Sequence, residues 1–254
     1  MLPLKPMKKL ILLWIACSAV ACKGDFSFKG ESNTPTAGTG GSLARFTITN
    51  DYLYIVNSNN LKSFNISNPT DPIPSGEVKI NAFAETIFPF KNHLLVGTRT
   101  GMYIFGLSTP SKPNQVSVYQ HFASCDPVVA AGDYAYVTLR KGTPCTRGQN
   151  QLDVLNIAQL ASPQFLVSYP MLNPHGLGVT AKYLFLCEGA SGFKIFDRTN
   201  PADLKMIDFK YDIKSFDVIP LEESLIITGE DGIYQYGFDQ KGNFELYSKI
   251  PVSK

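Results

Sequence analysis

The chain has 254 residues, 44% of them hydrophobic and only 17% charged, with a formal net charge of +2. So few charges on so apolar a chain exclude a disordered polyelectrolyte. Lys5, Lys8 and Lys9 fall in the first 21 residues, which leaves 20 basic against 21 acidic residues beyond them, a balance that argues against a nucleic-acid-binding surface.

At the amino terminus, Lys8-Lys9 precede the apolar run Leu10 to Val20. That run is too short for a bilayer core, which takes about 20 residues. A basic start, a short apolar core and small residues after it predict a secretory signal over 1–21. Met7-Lys8-Lys9 is a more natural start than Met1. The tetrad Ala19-Val20-Ala21-Cys22 resembles the bacterial lipobox. That resemblance implies lipidation of Cys22 and a membrane anchor, and Lys23 in place of aspartate implies delivery to the outer membrane or cell surface. Residues 22–42 are rich in Gly, Ser and Thr without apolar periodicity, the composition of a flexible tether.

From residue 43 to 254 the chain repeats. Apolar runs start at Tyr52, His93, Tyr134, Tyr183 and Ser224, separated by 41, 41, 49 and 41 residues. The long interval holds the Gly/Pro/Thr-rich stretch 141–150. Each run is followed by a second one, at Leu61, Met102, Leu152, Phe193 and Ile233, and then by a turn that often contains proline. With an outer strand and a preceding inner strand, each unit has four strands. Phe 17, Tyr 12, Gly 20 and Pro 17 suit short strands and turns. The expectation is an all-β fold, a five-bladed β-propeller of four-stranded antiparallel blades.

The pentads Leu61–Asn65, Met102–Gly106, Leu152–Asn156, Phe193–Asp197 and Ile233–Gly237, with their Asn-Pro or Ser-Pro turns, look like the LVIVD repeat of bacterial and archaeal cell-surface proteins. Only Asp197 keeps the terminal aspartate of that pentad. The resemblance implies a propeller and a surface setting, and no defined reaction.

Repeat phase also selects candidate site residues. Eight positions before the five runs stand Ala44, Glu85, Asp126, His175 and Phe216. Three consecutive units therefore aim Glu85, Asp126 and His175 at the channel mouth. Those side chains suit a polar ligand or a divalent cation; alternatively they satisfy strand-end backbone groups around a solvated channel. Arg99, Arg140, Glu188, Glu230 and Asp231 read as a solvated rim of mixed sign, and His93 and His121 as structural. No hydrolase elbow, zinc-protease helix, phosphate loop or Cys-x-x-Cys pair occurs. Cys125 and Cys145 fall in loops of one face, which predicts a disulfide in an exported protein; Cys187 falls inside a strand and reads as a buried apolar residue. Two functions fit: a binding or scaffolding module for a glycan, peptide or partner protein, or a carbohydrate-active hydrolase or lyase using Glu85, Asp126 and His175.

Overall fold

The computed structural model describes residues 40–120, 127–142, 149–239 and 241–252. Among them every regular element is a β-strand. β1 (Phe46–Thr49), β2 (Tyr52–Asn65), β3 (Ile73–Phe90), β4 (His93–Thr98), β5 (Gly101–Gly106) and β6 (Asn114–Gln120) form one six-stranded antiparallel sheet in sequence order. Three four-stranded sheets follow. They comprise β7 (Val128–Ala131), β8 (Tyr134–Leu139), β9 (Gln151–Asn156) and β10 (Gln164–Pro170); β11 (Leu177–Val179), β12 (Tyr183–Cys187), β13 (Phe193–Asp197) and β14 (Lys205–Lys210); and β15 (Ser215–Pro220), β16 (Ser224–Gly229), β17 (Gly232–Phe238) and β18 (Phe244–Pro251).

The protein is thus a four-bladed propeller of four-stranded antiparallel blades, and the expected five-bladed count is corrected. The first blade uses the second half of β3 with β4, β5 and β6. The unit before it does not close into a blade, for reasons visible in its connections. Later units turn at glycines: Gly101 and Gly232 pack so closely on the carbonyls of Tyr119 and Ile250 that a Cβ would collide with them. The first unit offers Asn57-Ser58-Asn59-Asn60 there, without glycine, and the chain runs on as the 14-residue β2. Between its outer strand and the next inner strand, 77–88 contains neither Gly nor Pro, so both merge into the 18-residue β3. The long strands absorb the mismatch by slipping register, with Ser58 opposite Ala84 but Asn60 opposite Lys79.

Both faces of the middle strands β4, β5, β8, β9, β12 and β13 are largely buried, because apolar cores lie on either side of them. In β4, Leu94 and Val96 join one core with Tyr54, Leu61 and Phe105, while Leu95 joins the next with Ile104, Val128 and Val137. In β12, Leu184 and Leu186 pack with Tyr136 and Val154, and Phe185 packs with Phe193, Ile227 and Tyr234. This is why the first-run segments read as nearly continuous apolar stretches. Arg198 staples two sheets across one such core. Its guanidinium donates to the Tyr136 hydroxyl (2.8 Å) and to the carbonyls of Thr180, Ala181 and Ala131.

The expected Cys125–Cys145 disulfide is withdrawn. The described residues hold no disulfide, and both cysteines lie outside them. Cys187 is a free, fully buried thiol whose pKa burial pushes up.

Candidate functional site at the strand-start face

The aligned positions sit where their strands deform. Glu85 occupies the bulge between Ala84 and Thr86 in β3, and Phe216 the matching bulge between Ser215 and Asp217 in β15. A bulge re-aims one side chain out of the alternating pattern. His175 stands just ahead of β11, where its N–H bonds the Cys187 carbonyl at 2.7 Å, continuing the β11–β12 ladder. Asp126 lies outside the described residues.

Segment 41–44 runs across the starts of three inner strands. The Ala44 carbonyl accepts from Ile87 N–H (2.9 Å), and Ser42 Oγ accepts from Leu177 N–H (2.7 Å) while donating to Asp217 Oδ1 (3.2 Å). Asp217 also accepts from Leu43 N–H, and it is flanked so closely by Gly41 and Gly176 that a Cβ on either would overlap its carboxylate. Burial pushes the Asp217 carboxyl upward, against the opposing pull of its N–H and hydroxyl donors.

Beside this junction is a cavity of about 160 Å³ whose lining includes Leu43, Arg45, Glu85, Arg140, Pro174 and His175. Two of the residues selected by repeat phase, Glu85 and His175, therefore share one cavity. Each meets an arginine that follows the second strand of a blade. Arg99 Nε donates to Glu85 Oε1 at 2.8 Å and lies over the Phe83 ring. Arg140 Nη1 lies 2.9 Å from His175 Nδ1. Burial, then the neighbouring Arg140 charge, pushes His175 down to about 4, so at neutral pH its ring is uncharged and accepts from the guanidinium. The His175 ring also leans on Phe216, with centroids 5.5 Å apart.

The loop carrying His175 is held from below. Glu188, fully buried, accepts from the backbone N–H groups of Leu172 (3.2 Å) and Asn173 (2.6 Å) and pairs with Lys194. Glu188 is therefore no rim residue, as its position had suggested, but a buried anchor. Gly189, at φ 55°, leaves space that a Cβ would take from His175 Nε2 and Asn173 Nδ2. Glu230 and Asp231 do form rim contacts, with Lys214 (3.0 Å) and Lys249 respectively.

Among the described residues no three His, Cys, Asp or Glu side chains converge as metal ligands. Glu85 is already bound by Arg99, and the nearest charge to the imidazole is a guanidinium. The described donors therefore do not suit a divalent cation. They suit a polar ligand offering both acceptors and donors: guanidinium N–H groups from Arg45 and Arg140, a neutral imidazole and one carboxylate. Arg45 was not singled out by the sequence, although it follows Ala44 in the same repeat phase.

Residues 40–79 match the LVIVD repeat. No curated protein matches the chain in sequence. Several solved structures share its fold. A protein from Lactobacillus plantarum superposes with a TM-score of 0.64 at 15% identity, covering 80% of this chain and 69% of its own. The computationally designed Ika8 protein gives 0.59 at 9% identity, over 81% of this chain and 60% of its own. BamB from Moraxella catarrhalis gives 0.58 at 8% identity, over 76% and 56%. The chain thus spans less than two thirds of the last two, and identities this low establish the fold alone.

Proposed function

We propose that this propeller is a binding module of the cell envelope, anchored through lipidated Cys22 and a tether over 22–42, that takes a glycan, peptide or partner protein at its strand-start face. The observation that carries this reading is the cavity where Arg45, Glu85, Arg140 and His175 meet. A few fixed polar groups in a concave site, on bulges and braced by buried hydrogen bonds, are what selective binding needs. An outer-membrane or surface location follows from the Cys22 signal. The hydrolase or lyase reading has no comparable support. Hydrolysis of a glycosidic bond calls for two carboxyl groups about 5–9 Å apart, and among the described residues that line the cavity Glu85 is the one carboxylate.

The test is a glycan and peptide array probed with the chain from residue 22 onward, wild type and His175→Ala/Arg140→Ala. A ligand retained by the wild type and weakened at least about tenfold in the double variant supports the module. Ligands bound equally by both would move the site elsewhere. Metabolic labelling with a clickable fatty acid checks the anchor: it should mark the wild type and spare Cys22→Ser.

A further inference from the structure

The strands of a blade alternate in direction, so turns between first and second and between third and fourth strands lie on the face opposite the cavity described above. On that opposite face, where the last two sheets meet, is a groove of about 870 Å³, within the size range of ligand sites. It lies between the β11–β12 turn, the β15–β16 turn and the start of β18. Tyr247 forms one wall. Its phenol end crosses so directly over Gly237 that a Cβ there would collide with it, yet the residue is 62% exposed. Phe238 forms part of the floor.

The charges in this groove have one dominant sign. Glu222, Glu223 and Glu245 are exposed within it, and among the described residues no ion pair engages any of them. The basic lining residue, Lys182, holds its ammonium 5.1 Å above the Tyr183 ring. Asp239 is committed to its own turn, accepting from Lys241 N–H, Asn243 N–H and Asn243 Nδ2. The groove therefore combines ligand-sized volume, an exposed aromatic ring and three exposed carboxylates that no ion pair engages among the described residues, against one lining lysine.

We propose that the groove binds a lysine- or arginine-bearing peptide segment of a partner protein, one cationic side chain lying on Tyr247 within reach of Glu222, Glu223 and Glu245. The ring supplies cation–π attraction and the carboxylates supply charge complementarity. This site shares no residue with the cavity on the other face, so either proposal can fail alone.

Fluorescence anisotropy with labelled tetralysine, tetraglutamate and chitotetraose, on the chain from residue 22 onward, tests it. Tetralysine should bind, more weakly as salt rises, and the other two should not. Glu222→Gln/Glu223→Gln/Glu245→Gln should weaken tetralysine at least about tenfold. Asp71→Asn/Glu77→Gln/Asp203→Asn changes net charge equally at exposed residues that do not line the groove, and should stay within about twofold. Tyr247→Ala should cost about threefold and Tyr247→Phe almost nothing. Equal weakening by the two triple variants would reduce the effect to general attraction and overturn the proposal. Absence of tetralysine binding, or binding of chitotetraose in its place, would overturn it as well.

Discussion

Gly189 and His175 show how one residue's backbone can set another's chemistry. With φ at 55° and Asn173 Nδ2 and His175 Nε2 where a Cβ would stand, Gly189 cannot take a side chain without displacing both. Gly189→Ala should lower stability by about 1–2 kcal/mol and reduce ligand affinity as strongly as loss of the imidazole; urea titration together with the array ligand reads both. His175 also carries a signed pH effect. Its folded pKa, about 4, lies below the ordinary 6.5, so between those values the unfolded chain binds the proton more readily. Stability should fall as pH drops from 6.5 toward 4 and level off below. Asp217 acts oppositely, since its carboxyl is raised and its protonation favours the fold. Thermal melts of wild type and His175→Gln isolate the histidine: the variant should lose that part of the slope. Identical slopes would mean that His175 titrates as it does in the unfolded chain.

At the scale of elements, strands were legible and closure was not. Runs at Tyr52 and Leu61 carry the same apolar signature as their counterparts, so periodicity alone assigns them two strands. Whether a hairpin forms between them depends on Asn57-Ser58-Asn59-Asn60, where glycine is missing, and the chain extends as β2. Glu85 and His175 could be found because a repeat converts position into orientation. Glu188 could not, because a carboxylate beside a strand end looks the same in sequence whether it meets water or the Leu172 and Asn173 N–H groups. Its burial makes a sharp expectation. Lys194→Met leaves Glu188 as an unpaired buried charge and should cost about 3–5 kcal/mol; adding Glu188→Gln should recover much of that loss. Additive costs in urea unfolding would show that the two side chains are not coupled. Arg198 was likewise missed: its partners are three carbonyls and a phenol, which no charge pattern reveals.

Across the whole molecule, the sheets must be held at their inner ends, and much of that work falls to the short segment before β1. Ser42 is fully internal in its bonding, since one hydroxyl accepts from Leu177 N–H of one sheet and donates to Asp217 of the next. Ala44, through its carbonyl, reaches Ile87 of the six-stranded sheet. Residues 41–44 therefore tie together three sheets, whereas of the four apolar cores one lies within the six-stranded sheet and the other three link successive sheets. Apolar packing between sheets is insensitive to small sliding, whereas these hydrogen bonds fix where the inner ends stand. The same segment supplies Leu43 to the cavity and is followed by Arg45, so its position bears on binding as well as stability. Ser42→Ala removes the hydroxyl and leaves the Leu177 N–H without its partner at a buried site. The loss should be about 1–3 kcal/mol, with the urea m-value unchanged because the surface exposed on unfolding is unchanged. Ser42→Thr, which keeps the hydroxyl, should recover part of it. Under the proposed function, the Ala variant should also weaken the array ligand while leaving the groove beside Tyr247 unaffected. A Ser42→Ala protein as stable as wild type would show that the apolar cores alone set the sheets in place.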